Sequence, residues 1–284
     1  MHPRSLNRFV WIAASAALLS LALTWAVACA PAEEEPAEET APPAGEGAEA
    51  PAAEPKDAGD GAEAIAELQA GDATISGTIT YTGEAPTFQP IAMDADPDCA
   101  AKHGEPVYPE ALVLGDGATV GNIFVQVKDG FAQGDFQPPT APVVVDQRGC
   151  MYQPHVVGVL AGQPLEFWNS DGILHNVHLS PKQNREQNLG MPGSLKEKAV
   201  TFDTPELYVP VKCDVHPWMS AYVAVMSHPY FDVTGEDGRY EIKVPAGTYT
   251  LETWHEKLGT RTQEVTVAAG ETATADFALD VPAQ

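Results

Sequence analysis

From Ala73 onward, polar and apolar residues alternate along the chain. The stretch ATISGTITYTG (73–83) places Ile, Ile and Tyr at every second or fourth position and ends on a glycine, the pattern of a half-buried strand. The same style recurs in NIFVQVKDG (122–130), APVVVDQRG (141–149), HVVGVLAGQPLEFWNSDG (155–172) and AYVAVMS (221–227). It recurs again in GRYEIKVPAGTYTLETW (238–254) and RTQEVTVAAGETATADFAL (261–279). Gly, Pro, Asn and Asp punctuate these runs at hairpin intervals. No window carries a sustained helical stripe; EAIAELQ (63–69) suits a helical turn or two. Many short strands with regular turns predict an all-β chain built of sandwiches or barrels.

The first 72 residues read differently. Arg4 and Arg8 precede an apolar run from Phe9 to Val27 that closes on AVACA. This is a targeting signal, residues 1–29, with cleavage expected before Cys29. WAVAC resembles a bacterial lipoprotein signal, which implies lipidation of Cys29; the run is also long enough for a membrane-spanning anchor. Either reading places the rest of the chain outside the cytoplasm, periplasmic or at the cell surface, and tethered to a membrane. Residues 30–72 are Ala, Glu, Pro and Gly with almost no large apolar side chain. Residues 31–70 hold twelve acids and one base. Such a stretch buries too little surface to offset its ordering entropy, so a disordered, self-repelling spacer is expected. Residues 71–284 still hold 28 acidic and 12 basic side chains. That balance excludes nucleic acid as a partner, since phosphates require a basic face.

One short segment concentrates chemistry. YVPVKCDVHPWMSAYVAV (208–225) packs Cys213, His216, Trp218 and Met219 into seven residues between two apolar runs. Thiolate, imidazole and thioether together suit copper. A second histidine must come from elsewhere, and NSDGILHNVHL (169–179) supplies His175, followed by Asn176, just after a strand. YQPHVVGVLAGQPLEFWNSDGILHNVHL (152–179) and CDVHPWM (213–219) together resemble the cupredoxins, the blue-copper proteins, and among them the plastocyanin/amicyanin type. The resemblance implies a Greek-key β-sandwich holding one copper ion that cycles between Cu(I) and Cu(II). Carried over residue by residue, His175, Cys213 and His216 are equatorial ligands and Met219 a weak axial one. Asn176 would bond across to the cysteine loop. Pro217, lacking an N–H, cannot add a hydrogen bond to the thiolate. His216 would lie with Pro217 and Trp218 at an exposed apolar end, the family's route for electrons. His155 and His178 stand near enough in sequence to be candidates for a further ligand.

If Cys29 carries lipid and Cys213 binds metal, Cys99 and Cys150 remain, to pair as a disulfide in an oxidising compartment or to stand as free thiols. A boundary is expected near His228–Pro229, giving a copper domain over 73–228 and a smaller module over 229–284. The pattern G-x-Y-x-I-x-V-P-A-G-x-Y-x-L (238–251) resembles the carboxypeptidase regulatory-like, transthyretin-like β-sandwich, a structural or adhesive module. Trp254, His255 and Glu256 form a hairpin-like end suited to a minor metal or docking site.

The leading functional expectation is an electron carrier rather than an enzyme, because all four ligand positions are filled by protein. The acidic surface suggests a cationic redox partner, such as a cytochrome c or a dehydrogenase, steered electrostatically. The alternatives are copper storage or delivery, a small-molecule-binding copper enzyme with an additional histidine ligand, and a metal-free adhesion protein.

Overall fold

A computed structural model of the protein describes residues 60–132 and 134–281. The signal segment, Cys29 and the spacer up to residue 59 lie outside these residues. No helix among the described residues is long and apolar enough to cross a membrane.

In chain order, helix α1 (Asp60–Leu68) precedes β1 (Ala73–Tyr81), the short α2 (Pro97–Ala100), β2 (Phe124–Asp129), β3 (Val143–Arg148) and β4 (Met151–Gln153). Then come β5 (Val156–Leu160), β6 (Pro164–Asn169), β7 (His175–Leu179), β8 (Gln187–Met191) and β9 (Glu197–Thr201). β10 (Glu206–Lys212) and β11 (Ser220–Met226) follow. The chain closes with β12 (Phe231–Val233), β13 (Arg239–Val244), β14 (Gly247–His255), β15 (Gly259–Val267), β16 (Thr272–Thr274) and β17 (Phe277–Leu279).

The strands form two sandwiches. In the first, a five-stranded sheet of order β5-β11-β10-β7-β8 shares a core with a four-stranded sheet of order β4-β3-β6-β9. β6 shows how alternation builds that core: Leu165, Phe167 and Asn169 are buried, whereas Glu166 and Trp168 between them are partly exposed. In the second, β13 and β16 flank β1, which also pairs with β17; the other sheet runs β12-β2-β14-β15. Ile75, Ile79, Val125, Val127, Ile242 and Leu251 meet in its core.

This pairing moves the domain boundary. β1 and β2, expected in the copper domain of residues 73–228, belong to the sheets of the C-terminal module. The physical reason is connectivity. β13, β16 and β17 each pair with β1, and β2 bonds both β12 and β14. Residues 229–284 alone would therefore lack the central strand of one sheet and a connecting strand of the other. Ile75 and Ile79 are fully buried, and each contributes about 1.5–3 kcal/mol by leaving water.

The sheet containing β2 is covered on both faces. Val125 and Val127 point into the second core, while Phe124 joins the first and stacks on Phe231 at 5.3 Å between ring centroids. Tyr208 of β10 stacks on Trp254 of β14 at 4.0 Å. His228, at the expected joint, is buried against Phe131 at 4.3 Å.

The expected spacer, 30–72, ends earlier than predicted, because residues 60–68 form α1. Ile65 is buried, and Gly61 lies so close to Pro142 that a Cβ there would come within 2.1 Å of its carbonyl oxygen. Gln69 then donates to the carbonyls of Pro229 and Phe231 and accepts from the Lys243 amide. One buried isoleucine, a glycine and a glutamine are enough to anchor the end of an otherwise polar stretch.

Candidate metal centre

Two strand ends create the centre. β10 and β11 form a hairpin in which Lys212 pairs with Ser220, so residues 213–219 make its loop. The Met219 amide donates to the His216 carbonyl at 3.0 Å, and the Cys213 amide donates to the Met219 carbonyl at 3.2 Å. These bonds fold the loop back on itself and bury Cys213, His216 and Met219. β7 pairs with β10 through Lys212–His178 and Val211–Leu179, which brings His175 alongside that loop. Asn176 ties the two segments together. Its Oδ1 accepts from the Asp214 amide at 2.6 Å, and its Nδ2 donates to Asn188 at 2.7 Å and to the Asp214 carboxylate at 3.2 Å.

The donor atoms of His175, Cys213 and His216 converge within 4.8 Å of one another. The two Nδ1 atoms stand 2.9 Å apart, and Cys213 Sγ lies 3.7 Å from His216 Nδ1. Each imidazole uses Nε2 to donate to a carboxylate: His175 to Asp171 and His216 to Asp96, both at 2.9 Å. Rings held this way turn their Nδ1 atoms toward each other, an arrangement satisfied by a cation between them or by a shared proton. Burial pushes the Cys213 thiol up, but His175 and the amides of Asn176, His216 and Val215 pull it further down, to about 7. For His175, burial opposes protonation and its bonds to Asp171 and Cys213 outweigh it, so its pKa rises. A thiolate and two imidazole nitrogens converging in a buried loop form a donor set for a soft or borderline metal ion.

His216 is 1% exposed. The exposed imidazole edge implied by the cupredoxin resemblance is instead covered by Asp96 and the residues around Cys99 and Cys150. Pro217 is exposed, and Trp218 is partly buried and donates its indole N–H to the Cys150 carbonyl at 3.0 Å. The Cys99 and Cys150 sulfurs lie 2.01 Å apart, at bonding distance. Gly149 and Cys150 both have positive φ, the two-residue hairpin geometry that joins β3 to β4. Asp171 accepts both of their amides at 2.7 Å, offsetting the cost of a left-handed, non-glycine Cys150.

Neither further-ligand candidate joins this group. His155 is engaged at Nδ1 by the Ser220 carbonyl at 2.9 Å and at Nε2 by Glu256 at 2.7 Å. His178 has Asp214 at 3.0 Å on one nitrogen and Glu186 at 2.7 Å on the other. The contact with His155 also gives Glu256 a place: it joins the two sandwiches, with Tyr222 donating to its second oxygen at 3.3 Å. Asp96 and Asp171 were not singled out in the sequence. The only local signal for Asp96 is D-P-D-C, an aspartate N-cap with proline at the first helical position. Asp171 stands four residues before His175, with nothing around it to mark it from an ordinary turn aspartate.

Residues 217–280 match the carboxypeptidase regulatory-like domain family. That match begins inside the cysteine loop and covers the last seven strands, without β1 and β2. No curated protein matches the chain. Among solved structures, the chain is similar to the copper-containing nitrite reductase of Thermus scotoductus SA-01, at 23% identity and a TM-score of 0.27, over 34% of this chain and 25% of that one. It is similar to the oxidised state of an amicyanin variant, at 23% identity and a TM-score of 0.28, over 36% of this chain and 98% of that one. A Cu(I) amicyanin variant stands at 22% identity and a TM-score of 0.28, with the same coverage.

Proposed function

We propose that the protein holds one copper ion between His175, Cys213 and His216, with Met219 as a weak fourth ligand, and that it passes single electrons between redox partners outside the cytoplasm. The observation that carries this reading is the pair of Nδ1 atoms 2.9 Å apart, beside a thiol whose pKa is drawn down to about 7. Copper, when bound, supplies a one-electron couple. The chain's residues present one sulfur and two imidazole nitrogens, and they exclude water by burying all four side chains. Holding the ligands rigidly lowers the rearrangement needed between the two oxidation states. Burial of His216 beneath Asp96 favours retention of the ion over delivery to an acceptor. It also favours relay over a copper enzyme, as does the commitment of both ring nitrogens of His155 and His178 to other partners.

The same reading includes a Cys99–Cys150 disulfide, formed in an oxidising compartment, and a membrane tether through Cys29. The excess of acidic groups points to a cationic partner, such as a cytochrome c or a dehydrogenase, whose approach is steered by charge. The test is stopped-flow oxidation of the reduced, copper-loaded protein by a cationic cytochrome c across a salt series. The expected second-order rate falls steeply with ionic strength; a slow, salt-independent rate contradicts the proposed partner class.

A further inference from the structure

The two histidines are held by an outer layer that the ligand set alone does not require. Asp171 receives four donors: the Gly149 and Cys150 amides, His175 Nε2, and Lys102, whose ammonium lies 3.3 Å from its Oδ1. Its side chain is 3% exposed. Asp96 accepts from the Asp98 and Cys99 amides through Oδ1, both at 3.1 Å, and from His216 Nε2 through Oδ2. Each carboxylate thus grips the backbone beside one of the two bridged cysteines. The chain of contacts runs His216, Asp96, Cys99, Cys150, Asp171, His175, and it closes a ring around the donor cluster.

We infer that Asp96 and Asp171 are positioning residues of the metal centre. Each fixes its histidine with the proton on Nε2 and the lone pair of Nδ1 aimed at the ion, and their two negative charges favour the oxidised form of that ion. The inference rests on the reading of His175, Cys213 and His216 as copper ligands. The first effect follows from hydrogen-bond polarity, because a carboxylate accepts from Nε2–H and cannot donate to it. The second follows from charge, because Cu(II) carries one unit more than Cu(I) and each aspartate lies one imidazole width from the donors. At roughly 7 Å and an effective dielectric of about 20, removing one such charge shifts a one-electron equilibrium by more than tenfold. The bridge between Cys99 and Cys150 keeps both carboxylates in place from opposite sides.

The test uses the full chain and the variants D96N and D171N. D96N retains an N-cap acceptor for the Asp98 and Cys99 amides, so its fold is the better preserved of the two. Copper-loaded proteins are poised at a fixed potential, and the Cu(I):Cu(II) ratio is read from visible absorption. The expected result is a ratio at least tenfold higher in each variant than in the parent at equal copper content. Ratios within twofold of the parent, in proteins that hold copper, overturn the inference and leave the ligand assignment standing. A parent chain that takes up no copper overturns the ligand assignment, and the inference with it. A second readout needs no metal: nitrogen-15 NMR of the metal-free parent should find a proton on Nε2 of both His175 and His216. In D96N the His216 signals alone should change. A parent ring carrying its proton only on Nδ1 overturns the inference, whatever the variants do.

Discussion

Replacing Asn176 with alanine isolates the joint between the two ligand-bearing segments. The side chain makes three hydrogen bonds, one from the Asp214 amide and two donated to Asn188 and the Asp214 carboxylate. Asn188 and the Asp214 side chain are exposed and rehydrate after the change. The Asp214 amide, part-buried against the 7%-exposed Asn176, loses its acceptor. A part-buried amide left without its acceptor costs about 1–2 kcal/mol, and the two partly exposed bonds add about 0.5 kcal/mol each. The expected loss is about 2–3 kcal/mol in urea unfolding of the metal-free protein at pH 7, with the denaturant slope unchanged. N176D separates geometry from charge. It keeps an acceptor for the amide but sets a second carboxylate against Asp214, so its deficit should shrink in high salt. A loss below about 0.5 kcal/mol in N176A would mean that Asn176 does not join the loops, and the account of how Cys213 and His175 are brought together would be wrong.

Further outcomes follow from the same structure. His228 and His255 are kept neutral by burial, with pKa values lowered from 6.5 to about 4. The unfolded chain therefore binds more protons below neutrality, and metal-free stability should be full above about pH 6.5 and decline as pH falls toward 4. The loss is about 3 kcal/mol per histidine, readable from urea midpoints against pH. Asp171 acts in the same direction over a lower pH range. Despite its burial, His175 and the Gly149 and Cys150 amides hold its pKa at about 2, so its contribution of about 2 kcal/mol persists above pH 4 and is lost only as pH falls through 2. Residues 217–284 expressed alone should show no cooperative unfolding by circular dichroism, whereas a chain retaining β1 and β2 should. I75A should cost 2–5 kcal/mol in urea unfolding, as expected for truncating a fully buried isoleucine.

The alternation that predicts strands is a local property, and it was legible wherever one face of a sheet is buried. Sheet membership was not. The pattern of β1 would serve either sandwich, and only pairing with β13, β16 and β17, more than 150 residues away, decides between them. The donors stood out because Cys213, His216 and Met219 share one loop and His175 is followed by an asparagine after a strand; the structure brings three of their donor groups within 4.8 Å. The layer behind them did not stand out. Asp96 touches His216 across 120 positions, and a turn aspartate in an acidic chain looks like one more solvated charge. The cover over His216 escaped for the same reason, since the resemblance concerns the loop and not the segment that lies on it. In α1, a single buried isoleucine is too little signal to distinguish an anchored helix from the end of a flexible spacer.

The most direct measurement is the visible absorption and electron paramagnetic resonance of the chain after addition of one equivalent of Cu(II), beside the C213S variant. The account predicts an intense blue charge-transfer band and a narrow copper hyperfine splitting, both lost in C213S. Absence of copper uptake, or a spectrum unchanged by C213S, would contradict it.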